Sequence, residues 1–278
     1  MSESVAILGG RGMLGSDVAA ALRSQGCTVT IWDLPEWDLT CAEHVDQALR
    51  NAQVYVNCAA YTQVDKAEDE PGKAMLVNAD AVAQLGTIAR RLGVYGIHIS
   101  TDFVFDGAGE RPYVETDLPK PLSVYGASKW TGEVGFFASG CAGAVLRVQW
   151  SYGAQGSHFV AKILERARTG VELKVVDDQV GAPTWTADMA RAIGRLIQDR
   201  QEGLFHFANG GYVSRYDMAC FLIRTANLTN RVTPCSSDLF PAKALRPRNS
   251  RFDTTKIQSV LDYPIRSWQD AVGEFLRG

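Results

Sequence analysis

Apolar and polar positions change rhythm repeatedly along the first half of the chain. The runs "SVAIL", "CTVTIW", "VYVN" and "YGIHIS" are short, apolar and rich in β-branched residues, as strands buried on both faces are. Between them the spacing switches to three and four. "GMLGSDVAAALRS" predicts one helix, and Met75, Ala79, Val82, Leu85, Ala89 and Leu92 lay a single apolar stripe along a second, longer one. Strands alternating with helices predict βαβ units, so the expected class is α/β with a doubly wound parallel sheet. The strand "GAVLRV" ends near Val148 and closes a domain over residues 1–150.

Beyond it the periodicity is broken by Pro, Gly, Asn and isolated aromatics, which predicts a smaller C-terminal lobe for binding substrate, built from residues 151–184 and 211–278. The helix "TADMARAIGRLIQDR" and the strand "GLFHFA" are expected to return residues 185–210 to the large sheet.

Composition narrows the class of partner. A net charge of −3 and a pI near 5.8 leave no basic footprint for nucleic acid. No apolar run approaches the roughly 18–20 residues of a membrane span, and no signal-type segment opens the chain, so a cytoplasmic protein without membrane contact is expected. The six cysteines form no C-x-x-C pair, which predicts buried free thiols rather than a metal or disulfide framework.

Chemistry begins at "VAILGGRGMLGSDV", where a strand runs through glycines into a helix and predicts a Rossmann-like dinucleotide loop. Its glycines fit G-x-G-x-x-G from Gly10 or G-x-x-G-x-x-G from Gly9, Gly12 and Gly15. Backbone N–H groups there can meet a pyrophosphate at the positive end of the helix, and Arg11, Met13 and Leu14 belong to the same turn. Asp33, 18 residues past Gly15, suits an adenosine ribose hydroxyl and so NADH. Arg11 suits a 2′-phosphate and so NADPH, and the two leave the choice open.

"SVYGASKWTGE" sets Tyr125 and Lys129 one helical turn apart. A neighbouring ammonium is expected to lower the tyrosine pKa toward the range of proton exchange. The preceding strand ends in "HISTDFVFDG", where Ser100 and Thr101 add hydroxyls at the carboxyl edge of the sheet, the side on which ligands bind.

The glycine loop from Gly9, "NCAA" after the third strand, "STD" after the fourth and Y-x-x-x-K together resemble the extended short-chain dehydrogenase/reductases. "NCAAYTQVDKAEDEP", "PLSVYGASKWTGE", "RVQWSYG", "DDQVGAPTWTADMA" and "RPRNSRFDTTK" are similar, more narrowly, to the dTDP-4-dehydrorhamnose reductase family. That resemblance chooses the register of Gly9, Gly12 and Gly15 and leaves Gly10 as a neighbour. It implies that Tyr125 protonates the C4 carbonyl oxygen of a dTDP-linked 4-keto-6-deoxysugar, with hydride from NADPH or NADH. Lys129 is implied to tune Tyr125 and hold the nicotinamide ribose, and Thr101 to bond the same oxygen.

By the same likeness Asp38, Leu39, Asn57, Ala59, Ala60, Tyr61, Asn78 and Ser100 line the cofactor. Thr62, Val64, Asp102, Phe103 and Trp150 contact the sugar, and Gln179, Gly181, Pro183 and Thr184 shape the cleft mouth. Arg246, Arg248 and Arg251 are the candidates for the diphosphate. The sequence departs from the family at Phe103, where a tyrosine is usual, and at Gln149, where a small hydroxyl residue is usual. These departures keep another dTDP-4-keto-6-deoxysugar open as substrate, and a regulatory dinucleotide-binding subunit of the methionine adenosyltransferase type is the non-enzymatic alternative. Homodimerisation is left open, and no acidic cluster suggests a metal.

Overall fold

The computed structural model describes residues 3–277; residues 1, 2 and 278 of the expected domain ranges lie outside them. Five strands follow one another as β1 (Ser4–Leu8), β2 (Thr28–Trp32), β3 (Val54–Asn57), β4 (Tyr95–Thr101) and β5 (Gly143–Val148). With a sixth strand, Gly203–Phe207, they form one sheet in the order Gly203–Phe207, β5, β4, β3, β1, β2, parallel at every pairing.

Alternation along β1 shows why the sheet is covered twice. Val5 and Ile7 pack with Val18 and Leu22 of the Met13–Ser24 helix and with Met189, Ile193 and Leu196 of the Thr186–Gln198 helix. Ala6 and Leu8 face the other way, onto Val45, Val82, Leu85 and Phe136. Successive side chains point to opposite faces, so an all-apolar strand needs a helical layer on each. β2 is the exception to the expected burial: it is an edge strand, and Thr28 and Thr30 are exposed.

The chain leaves β1 toward β2 and then crosses to β3 on the other side, which makes β1 and β3 the switch point where a ligand crevice opens. There the glycines are sterically obligatory. Gly9 has φ +74°, and a Cβ on it would lie 2.6 Å from the Ala59 nitrogen. A Cβ on Gly15 would stand 2.3 Å from the Gly9 oxygen, and one on Gly10 would stand 2.7 Å from Cγ2 of Ile31. Gly10 is therefore more than a neighbour of the motif: it lets the loop cross β2.

The long helix of the sequence reading is broken. It comprises Pro71–Met75, a π-helical turn over Leu76–Asp80, and Ala81–Leu92. The wider turn brings Asn78 to full burial, where its amide meets Tyr61 and Ser128. Hydrophobic spacing could not report this, because the inward residue is polar.

A separate core of Tyr152, Ile163, Leu164, Met218, Leu222 and Trp268 lies under the remaining segments. Ile257 and Leu261, by contrast, pack into the core of the sheet, so the segment after Gly210 does not belong wholly to the lobe. All six cysteines are free and only half-buried, so their expected burial is incomplete. Among the described residues no helix is long and apolar enough to cross a membrane, and no group of three or more His, Cys, Asp or Glu is placed to hold a metal ion.

Because the contacts of Gly15 are all backbone, Gly15→Ala is expected to force the loop open, lowering stability by about 1–3 kcal/mol and abolishing binding of the expected dinucleotide. Thermal denaturation and a cofactor titration check this.

Candidate active site

At the switch point the Met13–Ser24 helix starts from Gly12 with no side-chain cap and no acidic residue in its first turn. The helices beginning at Val124, Phe159, Arg215 and Trp268 are capped by Ser123, His158, Ser214 and Ser267. An uncapped N-terminus beside a glycine turn fits a pyrophosphate, whose oxygens would satisfy the open N–H groups.

Arg11 and Asp33, opposed in the sequence reading, are joined here. The Arg11 N–H donates to Asp33 Oδ2 at 2.8 Å, and the Arg11 guanidinium donates to Glu36 Oε2 at 2.7 Å and the Leu34 carbonyl at 2.9 Å. Glu36 was missed by the sequence reading, although an acid three residues past Asp33 was its signal. Asp38 spends Oδ1 on the N–H and hydroxyl of Thr40, both at 2.8 Å, and Leu39 is buried against Trp37 and Val45.

Three positions expected to line the cofactor serve the scaffold instead. Asn57, 1% exposed, accepts the Ala59 N–H at 3.1 Å and lies 3.1 Å from His98 Nδ1. Asn78 accepts the Tyr61 N–H at 2.8 Å and donates to the Tyr61 carbonyl and the Ser128 hydroxyl, each at 3.0 Å. Ser100 is buried and donates to Glu133. Each is engaged in fixing the Ala59–Tyr61 loop or the end of β4, and Ala59, Ala60 and Tyr61 are half-buried.

The Val124–Ala138 helix carries Tyr125 and Lys129. Ser123 caps it through the Gly126 N–H at 3.1 Å, and Glu68 accepts the Val124 N–H at 2.8 Å. A Cβ on Gly126 would lie 2.2 Å from the Phe103 oxygen, so this glycine lets the helix close onto the 3-10 turn Asp102–Val104.

Tyr125 thereby comes within hydrogen-bonding reach of Thr101, whose hydroxyl also lies 3.1 Å from Asp102 Oδ1. Burial pushes the phenol up to about 12, and the Asp102 charge adds to the rise against the Thr101 hydrogen bond. The expected lowering by Lys129 is absent. Its ammonium is turned onto the Ile99 carbonyl at 2.7 Å, and its own burial brings it down to about 8, opposed by the charge of Glu133.

Glu133 was also missed, though it continues the Tyr125, Lys129 spacing by one more turn. Arg147 grips it through Nε at 2.8 Å and Nη2 at 2.6 Å, with the two side chains 2% and 4% exposed. Arg147 Nη1 is 3.3 Å from His206 Nε2, and burial with the Arg147 charge drives His206 down to about 3.

Beyond Tyr125 opens a cleft of about 490 Å³ lined by Phe103, Trp150, Gln179, Arg215, Arg246 and Ser250, among others. Phe103 stands edge-on to Tyr125 at 5.5 Å. Asp102 lies beneath, bonded by Thr101 and Ser250, and burial raises it to about 6. Trp150 holds a left-handed backbone, φ +43°, and Gly181 makes room for its ring, since a Cβ there would lie 2.7 Å from Cε2. Gln149 accepts the Ala182 N–H at 2.9 Å, and Thr184 is buried, its N–H 3.2 Å from the Trp150 carbonyl. Pro183 is buried too, so this pair supports Trp150 from behind rather than forming a mouth.

Thr62 is exposed, and Val64 opens a short helix that the lobe reaches through Arg246, which pairs with Asp65 at 2.7 and 3.2 Å. Of the three arginines expected at the diphosphate, only Arg246 lines the cleft. Arg248 faces Asp178 and Asp238, each at 3.8 Å, and Arg251 is bonded to Asn249 and Glu110. Arg215 lines the cleft instead. The sequence reading missed it because a lone arginine at a helix start carries no spacing signal.

Residues 3–278 match the family model of the RmlD substrate binding domain. The chain is 37% identical, over 98% of its own length and 84% of the relative's, to dTDP-4-dehydrorhamnose reductase of Mycolicibacterium smegmatis. It is 33% identical to dTDP-4-keto-6-deoxy-D-glucose reductase of Streptomyces niveus, covering 98% of this chain and 96% of that one. Its fold superposes on dTDP-4-dehydrorhamnose reductase of Bacillus anthracis in complex with NADP with a TM-score of 0.96, at 31% identity and covering 100% and 99% of the two chains.

Glu133→Gln leaves Arg147 buried without a counter-charge and is expected to cost about 3–5 kcal/mol of stability. Denaturant unfolding measures that loss, and an unchanged midpoint would contradict it.

Proposed function

The chain belongs to the RmlD substrate binding domain family, and from that membership we propose that it reduces the C4 keto group of dTDP-4-dehydro-L-rhamnose to dTDP-L-rhamnose, a step of nucleotide-sugar biosynthesis. It is an NAD(P)H-dependent oxidoreductase, like the relatives it resembles across nearly its whole length. The observation that supports the reading is Tyr125, buried edge-on to Phe103 of the cleft at 5.5 Å, with Thr101 two residues before Phe103 at the end of β4.

In this reading residues 1–150 with 185–210 hold the cofactor, and the segments 151–184 and 211–278 hold the sugar nucleotide. When bound, the nicotinamide supplies the hydride. Tyr125 supplies the proton: a phenol pushed up to about 12 by burial is fully protonated at neutral pH, so the donor is loaded before turnover. Thr101 orients the phenol and offers a second hydroxyl to the carbonyl oxygen as negative charge develops on it. Lys129, cationic below about 8 and anchored on the Ile99 carbonyl, is assigned to the nicotinamide ribose rather than to tuning Tyr125. A purely regulatory role has no need of a loaded acid beside an open cleft.

A second substrate has a specific observation behind it. Phe103 puts a bare ring where it borders both Tyr125 and the cleft, and the Streptomyces niveus relative is named for a different ketosugar. In this reading Phe103 offers the sugar no hydroxyl, so discrimination rests on shape.

Purified protein given dTDP-4-dehydro-L-rhamnose is expected to consume NADPH or NADH, followed by absorbance, and Tyr125→Phe to lose about 10²–10⁴ of the rate. No substrate-dependent loss with either cofactor would sink the reading, whereas equal kcat/KM for a dTDP-4-ketosugar of other ring stereochemistry would sink only the narrow substrate. The rate should hold at neutral pH and fall as pH rises through about 8, where Lys129 loses its proton while Tyr125 keeps its own. A flat profile to pH 9.5 or so would remove Lys129 from that role.

A further inference from the structure

Arg215 is a half-buried cation with no anion paired to it among the described residues. It opens the Arg215–Thr225 helix, and its guanidinium carbon sits 3.5 Å from the Trp150 ring centroid and 4.8 Å from that of Phe159. Burial lowers it to about 9, against the attraction of Asp102. Among the described residues no hydrogen bond or ion pair engages its guanidinium.

The neighbouring arginines differ. Arg246 is gripped by Asp65, Arg147 by Glu133, and Arg248 faces Asp178 and Asp238. Asp102, the carboxylate whose field reaches Arg215, has one oxygen on Thr101 and the other on Ser250.

We propose that Arg215 is the anion-binding residue of the cleft and holds the diphosphate of the sugar nucleotide, an inference that rests on the function proposed above. A guanidinium carries five in-plane donors, and stacking on a ring covers its face while leaving those donors free. Desolvation makes an unpaired charge costly, so the site favours a ligand that brings a phosphate to it. Lys162 and Lys174 line the same cleft and add positive charge.

The placement also sets a length. Phe103 borders Tyr125 and the cleft, and Arg215 lies on the ring of Trp150 in the same cleft. A phosphate at Arg215 therefore leaves the ring between it and the phenol to a hexose lying against Trp150. Arg246 serves less well, because its two donor atoms are already on Asp65 and would have to exchange that pair for the ligand.

The test is equilibrium binding of dTDP, thymidine, inorganic pyrophosphate and NADP to the parent, Arg215→Met and Arg215→Lys proteins. Arg215→Met should weaken dTDP and pyrophosphate by about ten- to a hundred-fold, as losing charge-assisted hydrogen bonds does, and leave thymidine and NADP within about three-fold. Arg215→Lys should recover part of the loss, and in steady state the methionine variant should raise KM far more than it lowers kcat. Equal weakening of thymidine and dTDP would overturn the proposal in favour of a packing role for the guanidinium on Trp150. Undiminished dTDP binding by Arg215→Met would overturn it while leaving the proposed function intact. A parent protein that binds NADP but not dTDP would overturn the proposed function and, with it, this inference.

Discussion

One buried carboxylate, Glu133, joins the three elements on which the site is built. It stands on the helix that carries Tyr125 and Lys129, accepts the hydroxyl of Ser100 at the end of β4, and is clamped from β5 by Arg147. A pair this deep gains its attraction only with all of its hydrogen bonds made, so it tolerates one arrangement of helix and strands. The separation of Thr101 from Tyr125 follows from that arrangement, since Thr101 is the next residue along β4.

Dryness then sets the electrostatics. Burial raises Tyr125 and Asp102 and lowers Lys129, in each case disfavouring the charged form. The result is a neutral phenol, an ammonium on the same helix that sheds its proton near the upper edge of the physiological range, and a cleft in which Arg246 is paired with Asp65 while Lys162, Lys174 and Arg215 have no ion-pair partner among the described residues. Arg215 differs from the two lysines in being stacked between the rings of Trp150 and Phe159, and on that geometry the proposed phosphate contact rests.

Legibility in the sequence followed the range of the interaction. The strands, the glycine turn and the Tyr125, Lys129 spacing are local patterns, and the structure has them where periodicity and spacing put them. The π-helical turn at Leu76–Asp80 was invisible because the buried Asn78 it carries exchanges its hydrogen bonds with Tyr61, 17 residues away, accepting its N–H and donating to its carbonyl. Ser100, Asn57 and Asn78 carried residue types suited to a cofactor, yet partners distant in sequence had already claimed them. Arg248 and Arg251 shared a motif with Arg246 and were turned away from the cleft by Asp178, Asp238 and Asn249.

The sequence by itself determined the layered α/β class, the glycine turn and the Tyr125–Lys129 pair on one helix, because each depends on residues within one or two helical turns of each other. The tertiary structure alone decided which polar groups remain available. Hydrogen-bond capacity is finite, and whether a side chain faces ligand or scaffold depends on what the fold brings against it. So Arg11 and Asp33 became partners rather than rivals, and Arg215, unmarked by any motif, became a ring-stacked cation of the cleft with no ion pair among the described residues.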